Sequence, residues 1–326
     1  MRKSRLVVVV SRSSDSHACA VLAALRRLRA RALLVDTARF PERSGLSLAL
    51  LADGSWTGSL GALSHAPIDA TAVGAVWWRR PEPFSLHRSV EDELWGGVYC
   101  ACDAAMGALW NSLQAFWVND IAADAAAEHK PSQLALAGSL GLAVPRSCIT
   151  NDPAVARAFI LERQDGETIH KNVVSAAAIW KPTRVAHARD RRLLASVRHL
   201  PLLFQERVPA EVDVRATILG QDLFAAEIDF PGAKPALDWR LRLRRARVRP
   251  VKLPHDLDAK LRRLVRELGL VYGAVDLRRR PDGEYVFLEV NPSGEFLFVE
   301  ERTGQPITEA LAALLAREAR EGPPSA

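Results

Sequence analysis

Near the N terminus five consecutive apolar residues, Leu6 to Val10, four of them valine, leave a strand no polar face to turn toward water. Such a run belongs in a parallel strand covered on both sides. A helical stretch from His17 to Leu28 and a second apolar run from Ala32 to Asp36 follow it, so the chain opens as a βαβ unit. Leu46 to Leu51, which ends at the turn Asp53-Gly54, and Ala75 to Trp78, which runs into Arg79-Arg80-Pro81, extend the pattern to a small open α/β domain. From Glu91 to Ala115 the period is helical, and Trp95, Tyr99, Met106 and Trp110 are spaced to share a core face.

The middle of the chain begins at Trp117-Val118-Asn119. It carries a helix from Lys130 to Leu140, stopped by Gly141, then a strand from Val144 that meets a helix start at Thr150-Asn151-Asp152-Pro153. A helix over Ala154 to Gln164, a strand over Glu167 to Lys171 and a loop of small residues, Ser175 to Ala178, come next. Beyond them Leu202 to Val208, Asp213 to Leu219, Leu223 to Ile228 and Tyr285 to Val290 read as strands, and Pro254 to Leu268 as an amphipathic helix. With 326 residues, 48% of them hydrophobic, the chain is long enough for two or three compact units.

Composition narrows the function. The 44 Lys plus Arg against 38 Asp plus Glu give a formal charge of +6, which favours acidic or phosphorylated partners or serves solubility alone. Four cysteines without a C-x-x-C pair indicate neither a zinc site nor a redox couple, so reduced thiols in a cytoplasmic protein are expected. The run from Leu6 to Val10 is too short for a signal-peptide core or a membrane span. Glu321 to Ala326, with Pro323-Pro324, is expected to be a disordered tail.

The densest chemistry lies in two strand-like segments, Gly273 to Arg278 and Tyr285 to Pro292, joined by the turn Pro281-Asp282-Gly283. Glu289 and Asn291 are two apart and so point to one face, and hairpin pairing can bring Asp276 beside them. Two carboxylates and a carboxamide are hard oxygen ligands suited to magnesium, which keeps part of its shell for water and phosphate oxygens. The alternative is a hairpin with a polar outer face. Against it stands the strongly apolar strand around Glu289.

Upstream, Lys171 ends a strand before the loop of small residues, where an ammonium can reach phosphate beneath a flap, and Lys130 could supply a second positive charge. Taken singly, each lysine is the more ordinary solvated surface charge. The segment Gln205-Glu206-Arg207-Val208 runs from a strand into a linker whose backbone could bond an adenine edge, with Glu211 accepting from ribose hydroxyls. Arg215 could clamp a terminal phosphate or an acyl phosphate with its forked donors, or pair with Asp213 as a purely structural ion pair.

The ordered set Lys130, Lys171, Gln205-Glu206-Arg207-Val208, Asp213-Val214-Arg215, Asp276 and Glu289-Val290-Asn291 resembles the ATP-grasp superfamily, near the RimK-like ligases. A narrower set resembles the graspetide, or microviridin-type, peptide maturases: Trp77 to Pro81, Thr150 to Pro153, Phe224-Ala225-Ala226, Asp238-Trp239-Arg240, Asn291 to Phe296 and Glu300 to Ile307. This resemblance covers nearly the whole chain. It implies a mixed α/β ATP-grasp fold with an N-terminal pre-ATP-grasp domain (1–116), a central lid (117–204), a C-terminal domain with the metal site (205–320) and the tail (321–326). It also implies ATP and Mg2+ as cofactors and a precursor peptide, leader plus acidic core, as the partner, with neither nucleic acid nor membrane. In such enzymes a side-chain carboxylate of the peptide becomes an acyl phosphate, and a Ser, Thr or Lys side chain then closes an ester or amide ring. Magnesium, Lys171 and Arg215 would offset negative charge in the phosphoryl transfer.

Two positions depart from that pattern. Glu295 stands where such maturases often carry Gln, and Lys181 competes with Lys171 as the phosphate lysine. Candidate peptide contacts are Arg79 and Arg80, the stretch from Arg184 to Arg198, Asp238, Arg240 and Glu295. The run Arg240, Arg242, Arg244, Arg245, Arg247 and Arg249 could steer an acidic core peptide or form a solvated charged strand. A homodimer is compatible with this reading. Its rivals are a RimK-like ligase that joins amino acids to a protein terminus or small acid, and a non-catalytic nucleotide- or nucleic-acid-binding regulator.

Overall fold

The computed structural model describes residues 5–54, 56–62, 68–173, 182–232 and 237–321. The loop Ser175 to Ala178, Lys181 and the tail beyond Glu321 lie outside the described residues. The chain divides into two compact units, residues 1–121 with 306–326, and residues 122–305.

In the first unit, β1 (Leu6–Ser11), α1 (Ser16–Arg27) and β2 (Ala32–Val35) form the expected βαβ opening. Asp15 caps α1, its Oδ1 accepting from the His17 amide at 2.8 Å. β3 (Ser44–Leu50), β4 (Trp56–Ala62) and β5 (Ile68–Asp69) make a separate antiparallel sheet. The parallel sheet is completed by β6 (Val73–Arg80) and β7 (Phe116–Val118) in the order β2-β1-β6-β7. The segment Leu46 to Leu51 therefore does not join the parallel sheet. Leu46 and Leu48 alternate with exposed Gly45, Ser47 and Ala49, the pattern of a strand with one face covered.

Helix α2 (Asp92–Ser112) buries Cys102, Met106, Leu109 and Trp110, whereas Trp95 is 47% exposed and stacks on Tyr99 with centroids 5.2 Å apart. Only the C-terminal half of the expected aromatic face is core. The C-terminal helix Ile307–Glu321 also belongs to this unit, not to a domain ending at 320. Its Leu311, Leu315 and Ala319 are buried, and a Cβ on Gly74 of β6 would lie 2.8 Å from the Ala319 carbonyl, so glycine admits the helix backbone there.

The second unit holds α3 (Ile121–Ala127, from its second residue), α4 (Lys130–Ser139) and two antiparallel sheets. β8 (Ser147–Thr150), β9 (Thr168–Asn172), β10 (Arg184–Val185) and β11 (Leu202–Glu206) form one, in the order β10-β9-β11-β8. Helices α5 (Pro153–Leu161) and α6 (Arg191–Val197) pack Phe159, Ile160 and Val197 against Phe204. β11 runs through the expected boundary at 204/205 without a break.

The larger sheet is ordered β14-β13-β12-β15-β16, from β12 (Val212–Leu219), β13 (Asp222–Asp229), β14 (Arg247–Pro250), β15 (Tyr272–Arg279) and β16 (Tyr285–Asn291). Helix α7 (His255–Glu267) lays Leu257, Leu261, Leu264 and Val265 in the same core as Val214, Ala216 and Ile218. Period-two alternation then sends Asp213 and Arg215 to the opposite face of β12. Part of the arginine run is a 3-10 helix, Trp239–Arg245, and not a strand; α8 (Leu297–Thr303) follows the hairpin. Among the described residues no helix is long and apolar enough to cross a membrane.

Candidate active site

β12 and β15 both carry Asp-x-Arg and run antiparallel, so each acid meets a base across the ladder. Arg215 stands opposite Asp276, with Nε 3.4 Å from Oδ1, and Asp213 stands opposite Arg278, whose Nε donates to Oδ1 at 2.8 Å. The ion pair between Asp213 and Arg215 considered from sequence does not form. Two residues apart on one strand they are roughly 7 Å apart along the chain, while their cross-strand partners lie alongside.

Glu289 on β16 is opposite Asp276, which completes the row Arg215, Asp276, Glu289 across three strands. The ladder slips between Asp276 and Leu277, leaving Leu288 as an extra residue just before Glu289. Asn291 is opposite Ala274, and its Oδ1 accepts from the Ser293 amide at 2.9 Å. The chain then passes Gly294, where a Cβ would fall 2.3 Å from the Ala274 Cβ. Only glycine fits that approach.

From the other side, Lys130 at the start of α4 places Nζ 3.4 Å from Glu289 Oε2. Gln133, nearly one turn on, binds both backbone groups of Val290: Nε2 donates to the carbonyl at 2.8 Å and Oε1 accepts from the amide at 2.9 Å. Its Nε2 also donates to the Ala127 carbonyl. This buried amide fixes α4, and hence Lys130, beside Glu289. Sequence reasoning passed over Gln133, because a polar residue on a helix carries no sign of the strand it will bond.

Lys171, Gln205 to Val208, Asp213, Asp238, Arg240, Asp276 and Glu289 line one cleft of about 850 Å³, together with Lys130, Trp239 and Arg278. Burial pushes the Glu289 carboxyl up, but Lys171, Lys130 and Arg240 outweigh it and hold the group down at about 2. Burial pushes Asp276 up; Arg215 opposes the rise and Glu289 adds to it. Asp213 is pushed up to about 6 by burial, despite Arg278. Burial also pulls the Lys171 ammonium below its usual value, with Glu289 opposing. For Arg240 burial acts downward, but the two bonds it makes to Asp238, at 2.8 and 2.9 Å, carry it above its usual value.

The donor set can be tested against a metal. Among the described residues no three His, Cys, Asp or Glu side chains converge, so a cage of protein ligands is not built. Asp276 Oδ1 is nevertheless buried without a hydrogen-bond partner, next to Glu289 and close to Asn291 in the ladder. Such a set fits a hard cation that takes the rest of its shell from phosphate and water.

Other expected contacts are distributed differently. Gln205 donates to Ser147 Oγ at 2.9 Å, Glu206 pairs with Arg280 at 3.3 Å, and Arg207 reaches the Gly166 carbonyl at 3.5 Å. Their side chains thus tie down the segment from Gln205 to Val208. Arg278 secures it further, donating to the carbonyls of Val208 and Leu237, both at 3.2 Å. Glu211, Arg215 and Asn291 are not among the cleft residues; Glu211 pairs with Arg279 at 3.2 Å. Arg184 is exposed on β10, and Glu295 is exposed between Gly294 and Phe296. Arg79 and Arg80 belong to the first unit, at the end of β6 and not in a loop. Arg79 is 1% exposed and paired with Asp15 at 3.3 Å.

Residues 6–125 match the family model of the MvdD pre-ATP grasp domain. The macrocyclase MdnC of Microcystis aeruginosa MRC, solved with the precursor peptide MdnA, is similar over 95% of this chain and 99% of its own, at 29% identity and a TM-score of 0.83. The ATP-grasp ligase PsnB, solved with a phosphomimetic variant of its minimal precursor, Mg and ADP, is similar over 96% and 98%, at 26% identity and a TM-score of 0.75. A RiPP-associated ATP-grasp ligase of Chryseobacterium gregarium, solved with ADP and a leader and core peptide, shares the fold over 96% and 97%, at 22% identity and a TM-score of 0.85. No curated protein matches in a search by sequence. The fold is that of the ATP-grasp ligases, its N-terminal part matches a pre-ATP-grasp domain, and the likeness of the chain is to the graspetide-type peptide maturases.

Proposed function

We propose that the cleft binds ATP with magnesium, and that the protein activates Asp or Glu side chains of a ribosomally made precursor peptide as acyl phosphates and closes intramolecular esters or amides. The observation that carries this reading is the row Arg215, Asp276, Glu289, with Lys130 and Arg240 within 4 Å of Glu289 and Lys171 lining the same cleft. Such an alternation of acids and bases suits a metal-bound polyphosphate. The complexes of the similar proteins with ADP, Mg and precursor peptides support the same ligands here.

When bound, ATP and magnesium supply an electrophilic phosphoryl group with part of its charge neutralised. Asp276, Glu289 and Asn291 would hold the cation. Lys171 and Lys130 would draw phosphate oxygens toward the same end of the cleft, and the forked guanidinium of Arg215 would offset charge that develops during transfer. The backbone from Gln205 to Val208 would receive the adenine edge. Arg240, oriented by Asp238, would offer its charge to a carboxylate of the peptide. Ring closure then relies on proximity, since the nucleophile and the activated carbonyl belong to one tethered chain.

The test is incubation with ATP, magnesium and a peptide encoded in a short neighbouring reading frame rich in Thr, Ser, Asp and Glu. Loss of one water mass per ring, matched by ADP release, is expected. Joining of free amino acids to an acceptor, with the peptide mass unchanged, would favour the RimK-like alternative. An unchanged peptide without magnesium-dependent ADP release overturns the ligase assignment.

A further inference from the structure

Arg215 is held by unusually weak polar contacts for a buried arginine. Its side chain is 5% exposed, yet Nε lies 3.4 Å from Asp276 Oδ1, and Nη1 lies 3.4 Å from the Ala274 carbonyl. Both are at the long end of the hydrogen-bond range, where direction is poorly enforced. Nε itself is buried without a hydrogen-bond partner. The polar contacts alone leave the guanidinium plane poorly fixed.

Two aromatic rings supply the missing constraint. Arg215 Cζ is 5.2 Å from the Trp239 ring centroid and 6.0 Å from that of Phe298, and the two rings are 5.1 Å apart at 37°. Distances of this size bring a guanidinium under the electrostatic pull of a ring face. The rings come from separate elements, the 3-10 helix Trp239–Arg245 and α8, and Arg302 of α8 ties the two together. Its Nη1 donates to the carbonyls of Leu243 at 2.9 Å and Ala246 at 3.0 Å. Gly294 also lies beside the guanidinium: a Cβ there would be in ordinary van der Waals contact with Arg215 Nη1, at 3.5 Å.

We infer that Trp239 and Phe298 form an aromatic clamp that sets the direction of the Arg215 guanidinium, and that both are positioning residues for the ligase reaction. The consequence for rate rests on the role given to Arg215 under the proposed function; the clamp itself rests on geometry alone. A displaced guanidinium would meet the transferring group at the wrong angle. Misplacements on the scale of an ångström commonly cost on the order of 100-fold in rate.

The experiment compares Phe298→Leu, Phe298→Tyr and Trp239→Phe in the full chain. In a proton–nitrogen correlation spectrum, the Arg215 Nε–H signal, assigned by its loss in Arg215→Lys, should carry a ring-current shift. That shift should collapse in Phe298→Leu and persist in Phe298→Tyr. In peptide-modification kinetics Phe298→Leu should lower kcat by about 10- to 100-fold with KM for ATP changed less than about twofold, and Phe298→Tyr should restore most of it. If Phe298→Leu does not fold, Trp239→Phe takes its place, with a smaller ring-current shift and a partial kcat loss expected. An Arg215 signal indifferent to the ring variants overturns the clamp, even if the wild-type protein proves to have no ligase activity. A signal that moves in an active enzyme while kcat does not overturns the positioning role, as does a kcat loss that the tyrosine fails to rescue.

Discussion

Asp213 and Arg278 face each other across β12 and β15 at 2.8 Å, two residues along the ladder from Arg215 and Asp276, so the two Asp-x-Arg segments cross-pair. Burial pushes Asp213 from 3.8 up to about 6. A carboxyl with a raised native pKa binds its proton more tightly in the folded state. Its stabilising contribution is therefore present below pH 4 and is lost as pH rises through 6. Urea unfolding from pH 4 to 7 should show wild type losing up to about 3 kcal/mol relative to Asp213→Asn, which lacks that proton. Parallel pH profiles for the two proteins would contradict this assignment.

Gly294 should tolerate no side chain. Gly294→Ala sets a new Cβ 2.3 Å from the Ala274 Cβ, and overpacking of this kind costs about 1–3 kcal/mol. The denaturation midpoint should fall and ligase activity with it. Ala274→Gly in the same chain should return most of the loss, whereas no recovery would mean that the two residues do not collide.

Gln133→Leu removes both bonds to Val290 and leaves a buried amide and carbonyl unsatisfied. The expected cost is about 1–3 kcal/mol per abandoned group. Because the same bonds hold α4 beside β16, magnesium-ATP affinity should fall together with stability. Binding calorimetry on the folded fraction separates the two effects.

How far the sequence reached can be judged from particular segments. The β15–β16 hairpin was legible because Pro281-Asp282-Gly283 marks its turn and period-two spacing puts Glu289 and Asn291 on one face; both features are local. The partners of Asp213 and Arg215 were not legible, because cross-strand register depends on segments more than fifty residues away. Arg240-Leu241-Arg242-Leu243-Arg244 alternates like a strand, yet it winds into a 3-10 helix. Asp238 accepts from the Arg240 amide at 3.1 Å at one end, Arg302 bonds the carbonyls at the other, and Leu241 is left 60% exposed. A tertiary cap overrides the local period there. The C-terminal helix Ile307–Glu321 was not singled out in the sequence, and its packing within the first unit depends on contacts with strands more than two hundred residues away.

The arginine run divides by ion pairing. Arg240, Arg247 and Arg249 are paired with Asp238, Asp229 and Glu227, whereas Arg242, Arg244 and Arg245 are exposed and have no ion pair among the described residues. If these three steer an acidic peptide, replacing them together with Gln should raise KM for the peptide and flatten its dependence on ionic strength, with kcat little changed. An unaltered salt dependence would leave them as solvated charge.

The central claim is that this cleft activates a peptide carboxylate by phosphorylation, and the fate of a carboxylate oxygen reports on it directly. A precursor peptide whose Asp and Glu carboxylates carry heavy oxygen should be turned over with ATP and magnesium, and the released phosphate analysed by mass. The account predicts one heavy oxygen in phosphate for every ring closed, and none with Glu289→Gln, which loses the charged centre of the cluster. Ring closure that leaves the phosphate unlabelled would contradict it.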